Sequence, residues 1–399
     1  MPGSPVTGNN RGMGNAAFDF ESLSEEWLRA KPGRKWHHAS PRLAAWVADM
    51  DFRPAPAVID HLRSMLDGGD IGYPERGETG RMRSVDAFVG RMRERYSWSI
   101  EAADVREWND VVQSIQAYLS VICSPGDRVV FHTPAYPPFF HAVEETGCEL
   151  HAVPALIDGD DVRFDHERLD AELSKRPAKV LLLCNPQNPT GRVFTRAELE
   201  HLVDIADRHD LVIISDEIHS DILFDGRVHV PIATLPGAAG RTVTLNSASK
   251  SFNIAGLHYS VSHCGVPWVE ERLAAMPDHL LGAANIMGAE GAWAAWTRGD
   301  EWFDAVRAHL EKMRGVTVDL VRSRLPGVRI HAPQATYLAW LDCTATPIAA
   351  DPYFAFQSAG VEVNDGTNFG PEGAGHVRLN FATSTAMMQR IIDSMSHAL

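Results

Sequence analysis

The sequence has no uninterrupted apolar run that approaches the roughly 18 residues of a membrane-spanning helix. Cysteine is scarce, with five in 399 residues and no CxxC pair, which argues against a disulfide framework and a cysteine-based zinc site. Lys and Arg number 37 against 52 Asp and Glu, a net charge of −15. A nucleic-acid surface needs clustered basic residues. These absences predict a reduced, cytoplasmic protein that handles small molecules, without nucleic-acid or membrane partners.

The remaining composition is that of a globular protein. Hydrophobic residues make up 45% and charged residues 22% of the chain, close to the usual values of roughly 45–50% and 25%. The length corresponds to two or three domains at roughly 150 residues each. Residues 1–15 contain no apolar stretch of the kind that a signal peptide has. We therefore expect a disordered arm at this end.

Four short apolar runs without polar alternation predict strands that are buried on both faces. They are residues 128–131, 179–184, 211–214 and 242–245. Between the second and third runs, Thr195 and Glu198 form a capping-box pattern, and apolar residues recur at helical spacing as far as His209. A strand, a helix and a second strand in this order predict a parallel sheet, and hence an α/β fold.

The last third of the chain has a different pattern. Residues 290–324 predict a long, interrupted helical region, ATYLAWLD (335–342) and HVRLNFA (376–382) predict strands, and a last helix is expected from about Ser384. This order is typical of a second, α+β domain. The predicted parts are the arm 1–15, a segment 16–54 that joins the small domain, a large domain 55–288 and a small domain 289–399.

Polar side chains follow three of the predicted strands. The strand at 179–184 leads into NPQNPTG (185–191), the next into DEIH (216–219), and the last into SASK (247–250). Because parallel strands bind ligands at their carboxyl edge, these groups are expected to meet there. Each motif alone has a simpler explanation as a rigid turn, a helix cap or a surface lysine. Their order along the chain favours one shared site.

The set has the groups that a pyridoxal phosphate site requires. The Lys250 amine can form a Schiff base with the aldehyde, and the Asp216 carboxylate can keep the pyridine nitrogen protonated. Hydrogen-bond donors and a stacking ring come from Asn188, Ser247, Ser249 and Tyr136. The helix expected after Asn109 can direct its first free N–H groups, at Val111 and Val112, toward the phosphate.

Together these motifs resemble the fold-type I pyridoxal-phosphate enzymes of the class I/II aminotransferase superfamily, and within them the MalY/PatB-like cystathionine β-lyase branch. The matching segments are KW (35–36), AWVADMDF (45–52), GYP (72–74), SPGDRVVFHTPAYPPF (124–139), LLLCNPQNPTGRVF (181–194), SDEIHSDI (215–222), SASKSFNIAGL (247–257), ATYLAWLD (335–342) and VRLNFA (377–382). The resemblance implies a large domain with a mostly parallel central sheet, a smaller α+β domain and the cofactor pyridoxal 5′-phosphate.

The resemblance also implies roles for individual residues at the cofactor. Lys250 would form the Schiff base and move protons, Asp216 would pair with the ring nitrogen, and Asn188 would bind the phenolate oxygen. Tyr136 and Ile218 would cover the two ring faces. His219 stands where many aminotransferases have a tyrosine, as it does in the lyase branch.

At the phosphate, the implied ligands are Ser247, with Ser249 close by, and the backbone of Val111 and Val112. His258 stands where aminotransferases commonly have a phosphate-binding arginine. This difference implies that fewer charges hold the phosphate.

Asn188 and three further residues are implied in substrate binding. Arg378 would bind the α-carboxylate as a bidentate fork, and Trp46 would form a pocket wall. Tyr73 would reach the phosphate of the neighbouring subunit, which implies a homodimer. The alternatives are a salt bridge at the core edge for Arg378, plain packing for Trp46 and a turn position for Tyr73.

The resemblance implies α,β-elimination on L-cystathionine or another S-substituted L-cysteine, which gives a thiol, pyruvate and ammonia. An aminotransferase with the same site remains an alternative, as does an oxidative or decarboxylating enzyme that acts on a cysteine conjugate. A non-enzymatic role with a protein partner is a third. The histidines show no metal-ligand spacing, so no metal is expected.

Overall fold

The computed structural model describes residues 18–158 and 161–399, and the predicted arm 1–15 lies outside them. The strands are β1 (Leu43–Ala44), β2 (Val105–Trp108), β3 (Arg128–Thr133), β4 (Glu149–Pro154), β5 (Leu156–Asp158), β6 (Asp161–Arg163), β7 (Val180–Cys184), β8 (Val212–Asp216), β9 (Thr242–Asn246), β10 (Ser260–Cys264), β11 (Arg329–Ile330), β12 (Leu338–Asp342), β13 (Val361–Glu362), β14 (Asn364–Asp365) and β15 (His376–Asn380).

The α-helices are α1 (Glu25–Ala30), α2 (Arg34–Ala39), α3 (Pro56–Gly68), α4 (Arg83–Tyr96), α5 (Val111–Ile122), α6 (Pro137–Glu145), α7 (His166–Lys175), α8 (Arg196–Arg208), α9 (Ala248–Ser251), α10 (Pro267–Ala274), α11 (Ile286–Arg298), α12 (Asp300–Arg324), α13 (Pro352–Ser358) and α14 (Thr385–Ser396). None of the helices in the described part of the chain is both long enough and apolar enough to cross a bilayer.

A seven-stranded sheet in the order β2-β10-β9-β8-β7-β3-β4 forms the centre of the fold. β10 is antiparallel to both of its neighbours, and the other strands share one direction. The four strands predicted from apolar runs are β3, β7, β8 and β9, so that prediction and the mostly parallel sheet are confirmed.

Alternate residues of the central strands enter two separate cores, because successive side chains in a strand point to opposite faces. Leu182 packs in the core beneath α5, α6 and α10. Leu181 and Leu183 pack in the core beneath α7 and α8. This two-sided burial is the physical reason that these strands lack polar alternation.

The predicted capping box begins α8, the helix that connects β7 to β8. The Thr195 hydroxyl accepts a hydrogen bond from the Glu198 N–H, and the Glu198 carboxylate accepts one from the Thr195 N–H. The crossover unit predicted from the sequence is therefore confirmed.

The C-terminal third contains an antiparallel sheet in the order β11-β12-β15-β14. The predicted helical region is α11 followed by α12, interrupted at Gly299, and Ser384 caps α14 as expected. β1 pairs with β13, which ties residues 43–44 to the C-terminal part of the chain. The predicted boundary after residue 288 falls inside α11, and the domain limits stay a prediction.

Candidate active site

A cavity of about 230 Å³ lies at the carboxyl edge of the seven-stranded sheet. The segments that follow β2, β3, β7, β8 and β9 all contribute to its lining. This convergence is what the parallel arrangement predicts. The ring-contact residues predicted from the sequence all line it, namely Tyr136, Asn188, Asp216, Ile218 and His219. Lys250 also lines it, as do the predicted phosphate ligands Val111, Val112, Ser247 and Ser249.

The N-terminus of α5 forms one end of the cavity. Asp110 caps this helix, and its carboxylate accepts a hydrogen bond of 2.8 Å from the Gln113 N–H. The N–H groups of Val111 and Val112 belong to the first turn, so they have no acceptor within the helix. Free N–H groups at a helix N-terminus favour an anion, and the predicted phosphate position is geometrically reasonable.

Ser247 has a different local role from the one predicted. Its hydroxyl caps α9 by accepting from the Ser249 N–H at 3.0 Å, and it donates to the Tyr259 carbonyl at 2.6 Å. The hydroxyl hydrogen is therefore used within the protein. The role of Ser247 as a phosphate donor stays a prediction.

The Lys250 amine donates to the Ala48 carbonyl at 3.0 Å. The Tyr337 hydroxyl donates to the same carbonyl at 2.8 Å. Burial lowers the pKa of Lys250, and the carboxylate of Asp49 opposes this effect. A lowered pKa increases the fraction of neutral amine, the form that can act as a nucleophile or a base.

Asp216 is the last residue of β8, and its carboxylate accepts a hydrogen bond of 3.1 Å from the Ile218 N–H. Burial raises the pKa of Asp216 to about 7. Ionisation at this position is unfavourable because the carboxylate loses its hydration. A cationic partner within the cavity would restore the charged form.

His219 lines the cavity as a neutral imidazole. Burial, together with the nearby charges of Lys250 and Arg378, lowers the pKa of His219 to about 3. Within the described residues, the buried Nδ1 atom has no hydrogen-bond partner. His219 therefore brings a polar atom but no positive charge to the site.

Arg378 comes from β15, in the other sheet, and is only 4% exposed. It donates to Asn188 Oδ1 at 2.9 Å, to the Trp46 carbonyl at 3.1 Å and to Asn364 Oδ1 at 2.5 Å. All three acceptors are uncharged, and the buried Nε has no partner in the described part of the chain. Burial lowers the pKa of Arg378 to about 10, so it is still a cation at neutral pH. This environment suits an incoming carboxylate and does not support the salt-bridge alternative.

The bond from Arg378 also fixes the orientation of Asn188. Because Oδ1 of Asn188 accepts from the guanidinium, the amide NH₂ is the group left for the cavity. An NH₂ donor suits a negatively charged ligand oxygen.

Trp46, Tyr73 and Arg378 are not among the cavity residues, although Arg378 bonds the cavity residue Asn188. The Trp46 ring lies beside the Arg34 guanidinium and the His38 ring, and its N–H donates to the Lys35 carbonyl at 2.9 Å. The packing alternative describes this ring well, and only the Trp46 carbonyl contacts Arg378. Tyr73 is fully exposed. The substrate role of Trp46 and the intersubunit role of Tyr73 stay predictions.

The sequence analysis did not anticipate how the segment of residues 46–52 is held. Each of its seven carbonyls accepts a hydrogen bond from a side chain, and two of them accept a second. The donors are Arg378, Asn380, Lys250, Tyr337, Lys35, Asn253 and Lys31. The motif AWVADMDF marks this segment, but sequence pattern gives no indication of donors so distant along the chain.

The cavity residues fit pyridoxal phosphate at four points. The N-terminus of α5 suits its phosphate, the buried Asp216 suits its protonated ring nitrogen, the Asn188 amide suits its phenolate oxygen, and the Lys250 amine suits its aldehyde. The unpartnered Nδ1 of His219 adds another polar contact at the same site.

The comparisons with known proteins agree with this geometry. The family model described as aminotransferase class I and II matches residues 85–395. The cystathionine beta-lyase PatB of Bacillus subtilis is 33% identical over 356 residues, which cover 87% of this chain and 90% of PatB.

Two solved structures have the same fold with a TM-score of 0.88 and 26% identity. Cystalysin from Treponema denticola, which contains pyridoxal 5′-phosphate, matches 96% of this chain and 98% of its own. The PLP-bound C-S lyase from Staphylococcus hominis, in complex with the inhibitor L-cycloserine, matches 97% of this chain and 100% of its own.

Asp216→Asn should stabilise the protein in the absence of small ligands. The folded pKa of about 7 lies above the ordinary value of 3.8, so the folded protein binds more protons than the unfolded chain between these values. The free energy of unfolding therefore falls as the pH rises between these two values. Above about pH 7, the ionised Asp216 lowers the free energy of unfolding by its full, constant amount. We expect a gain of about 2 to 4 kcal/mol near pH 8 and a smaller gain near pH 5, by urea unfolding.

Asp221→Asn is the matched control, for which we expect the opposite change in stability. Burial acts to raise the pKa of Asp221, but Arg91 and Arg95 outweigh it and the pKa is lowered. This variant should be less stable than the wild type at neutral pH. A destabilised Asp216→Asn near pH 8 would contradict the burial cost assigned to Asp216.

Proposed function

The chain belongs to the aminotransferase class I and II family, and we propose that it is a pyridoxal-phosphate-dependent carbon–sulfur lyase. Its reaction is α,β-elimination on L-cystathionine or another S-substituted L-cysteine. The observation that carries the proposal is a single cavity in which the Lys250 amine, the buried Asp216 carboxylate and the Arg378-bound Asn188 amide converge. Relatives named as cystathionine β-lyase and C-S lyase support this choice within the family.

Lys250 is the base in this proposal. When bound, pyridoxal phosphate supplies an electron sink for the negative charge that develops at the substrate Cα. The Lys250 amine takes the Cα proton, and its N–H bond to the Ala48 carbonyl fixes its direction. Burial favours the neutral amine that this step requires.

Asp216 and Asn188 orient the cofactor and stabilise charge. The Asp216 carboxylate is ionised when a protonated ring nitrogen lies next to it, because the cation offsets the loss of hydration. The Asn188 amide donates to the ring oxygen, and Arg378 holds that amide in place. Preorganised donors of this kind act without reorganisation during the reaction.

Arg378 binds the substrate carboxylate. A guanidinium has five N–H donors, and the three bonds to Asn188, Asn364 and Trp46 leave others free, including the one at Nε. Since the acceptors already present are neutral, the positive charge is available to the substrate.

The leaving thiolate requires little help from the protein. A thiol has a pKa of only about 8.5, so departure from Cβ proceeds without a dedicated acid. Elimination leaves 2-aminoacrylate, which takes up one water molecule to give pyruvate and ammonia beside the free thiol. The reaction takes place in the cytoplasm in this proposal, in line with the five cysteines, which are all unpaired.

A homodimer completes the proposed enzyme, with Tyr73 reaching the partner's cavity. Tyr73 is fully exposed, and Leu66, Ile71 and Leu280 are other large apolar residues that are more than half exposed. Exposed apolar groups of this kind favour an interface. Sedimentation equilibrium should give about twice the 43.9 kDa of one chain, and Tyr73→Ala should weaken cofactor binding without lowering this mass. A monomer with full activity would contradict the dimer.

Purified protein loaded with cofactor should convert L-cystathionine to pyruvate and a free thiol in equal amounts, with no keto acid added. Lys250→Ala should abolish both products and change the visible absorbance of the bound cofactor. A wild-type protein that gives no pyruvate, but accumulates the amine form of the cofactor until a keto acid is added, would instead be an aminotransferase.

Arg378→Ala should raise KM for L-cystathionine by about 30-fold or more, because removal of one member of a buried charged contact costs about 2 kcal/mol or more. The cofactor absorbance should remain, since Lys250 is intact. The measurement is steady-state pyruvate formation, with cofactor content determined for each variant. Unchanged KM would assign the carboxylate to another residue.

A further inference from the structure

Two separate turns bring the proposed ring contacts to the cavity. Tyr136 follows β3, and Asn188 follows β7. These two strands are parallel neighbours in the sheet. Within the described chain, however, the ladder between them ends at the pair of Val130 with Leu181, three residues before either strand ends. Sheet pairing therefore does not fix the distance between the two turns.

The Gln187 side chain spans the gap between these turns. Its amide NH₂ donates to the Pro134 carbonyl at 2.6 Å. Its Oε1 atom accepts from the Thr190 N–H at 3.1 Å and also from the Thr190 hydroxyl. The orientation of the amide follows from its partners, because a carbonyl can only accept and a backbone N–H can only donate. Both ends of the amide are thus used at once.

Gln187 is only 4% exposed and is not among the cavity residues. Its backbone closes its own turn, since its N–H donates to the Arg192 carbonyl at 2.8 Å and its carbonyl accepts from the Gly191 N–H at 2.7 Å. Asn188 lies within this closed turn, and the carbonyl bonded on the other side lies two residues before Tyr136. Gln187 can therefore affect the cofactor ring only through these two neighbours.

Each turn also has an anchor in the C-terminal part of the chain. The Thr190 carbonyl accepts from His331 Nε2 at 2.5 Å. The Ala135 N–H donates to the Phe369 carbonyl at 2.8 Å. Neither anchor joins one turn to the other. Among the hydrogen bonds of the described residues, the bond from the Gln187 amide is the one that links the turns directly.

We infer that Gln187 is a positioning residue for pyridoxal phosphate, which acts through the Tyr136 ring and the Asn188 amide. The inference rests on the proposed function, because it deepens the description of the same site. With the Gln187 amide in place, the face and the oxygen of the cofactor ring meet their partners together. Without it, the two turns move independently, and binding of the cofactor must order them.

Three substitutions of Gln187 separate its hydrogen bonds from its volume. Gln187→Met has a similar length but no polar group, so the Pro134 carbonyl and the Thr190 donors lose their buried partner. Gln187→Asn keeps the amide but is one methylene shorter, so it can reach one turn and not both. Gln187→His, as a neutral imidazole, has one donor and one acceptor and can serve both turns.

The measurements are the dissociation constant of pyridoxal phosphate and the visible circular dichroism per bound cofactor, which reports how the ring is held. They are made on full-length protein. Gln187→Met and Gln187→Asn should bind the cofactor about tenfold more weakly than the wild type and give a weaker signal, as expected when buried polar groups lose a partner. Gln187→His should stay within about threefold of the wild type.

Unchanged affinity and an unchanged signal in Gln187→Asn would overturn the inference, and this variant decides if Gln187→Met does not fold. A Gln187→His protein as weak as Gln187→Met would also contradict the role assigned to the hydrogen bonds. A wild type that binds no cofactor would reject the proposed function itself, whereas normal wild-type binding with unchanged variants would reject only the positioning role.

Gln334→Met is the matched control. Oε1 of Gln334 accepts from the Val193 N–H at 3.0 Å, just after the same turn. Its loss should lower the free energy of unfolding of the cofactor-free protein but leave the circular dichroism per bound cofactor unchanged. An equal loss of signal in Gln334→Met and Gln187→Met would show a general structural effect and reject the positioning role.

A double variant tests whether Gln187 acts through the Tyr136 ring. Tyr136→Ala combined with Gln187→Met should lose less affinity for the cofactor than the product of the two single losses, because the ring that Gln187 positions is already gone. Losses that multiply in full would show that the two residues act independently, and they would overturn the inference.

Discussion

The active site depends on one backbone segment whose polar groups have no sheet to satisfy them. Residues 46–52 are not part of a strand or a helix, and unpaired buried carbonyls are costly. Side chains supply the missing bonds, with Asn380 and Arg378 from β15, Lys250 from α9 and Asn253 just after it. The segment thereby fixes the proposed base and the proposed carboxylate-binding group relative to each other.

The same segment also accounts for the buried polar contacts of the nearby residues Lys35 and Trp36. The Lys35 amine lies 3.0 Å from the Asp51 carboxylate and bonds the Asp49 carbonyl, and the Trp36 N–H donates to Asp51 at 2.8 Å. These three side chains are buried. The KW and AWVADMDF motifs are therefore parts of one structural unit, although they contain few of the groups that face the cavity.

Much of the fold could be predicted from the sequence, because a strand that is buried on both faces consists almost entirely of apolar residues. The positions of Lys250, Asp216 and Asn188 could be predicted as well. These residues lie at or just after the ends of such strands, and so they share the carboxyl edge of the sheet. The contact of Arg378 with Asn188 joins two sheets across 190 residues of chain, and no local pattern encodes it. The Ser247 hydroxyl was assigned to the phosphate by resemblance, yet in the structure its hydrogen goes to a carbonyl 12 residues away.

The electrostatics of the site, in contrast, depend on groups that lie close to it. The protein has a net charge of −15, but at physiological salt a charge is screened beyond about 8 Å. Anion binding is therefore decided by groups within the cavity. The Arg378 guanidinium, which bonds the cavity residue Asn188, is a cation, while His219 is neutral because burial lowers its pKa to about 3.

Among the residues that the structure describes, no arginine lines the cavity, so the end formed by α5 has no fixed cation of its own. Its attraction for an anion comes from the first turn of α5, and Asp110 partly opposes that attraction. The cavity lining therefore offers an anion the free N–H groups of Val111 and Val112, whereas the Arg378 cation lies outside the lining and bonds one of its residues, Asn188.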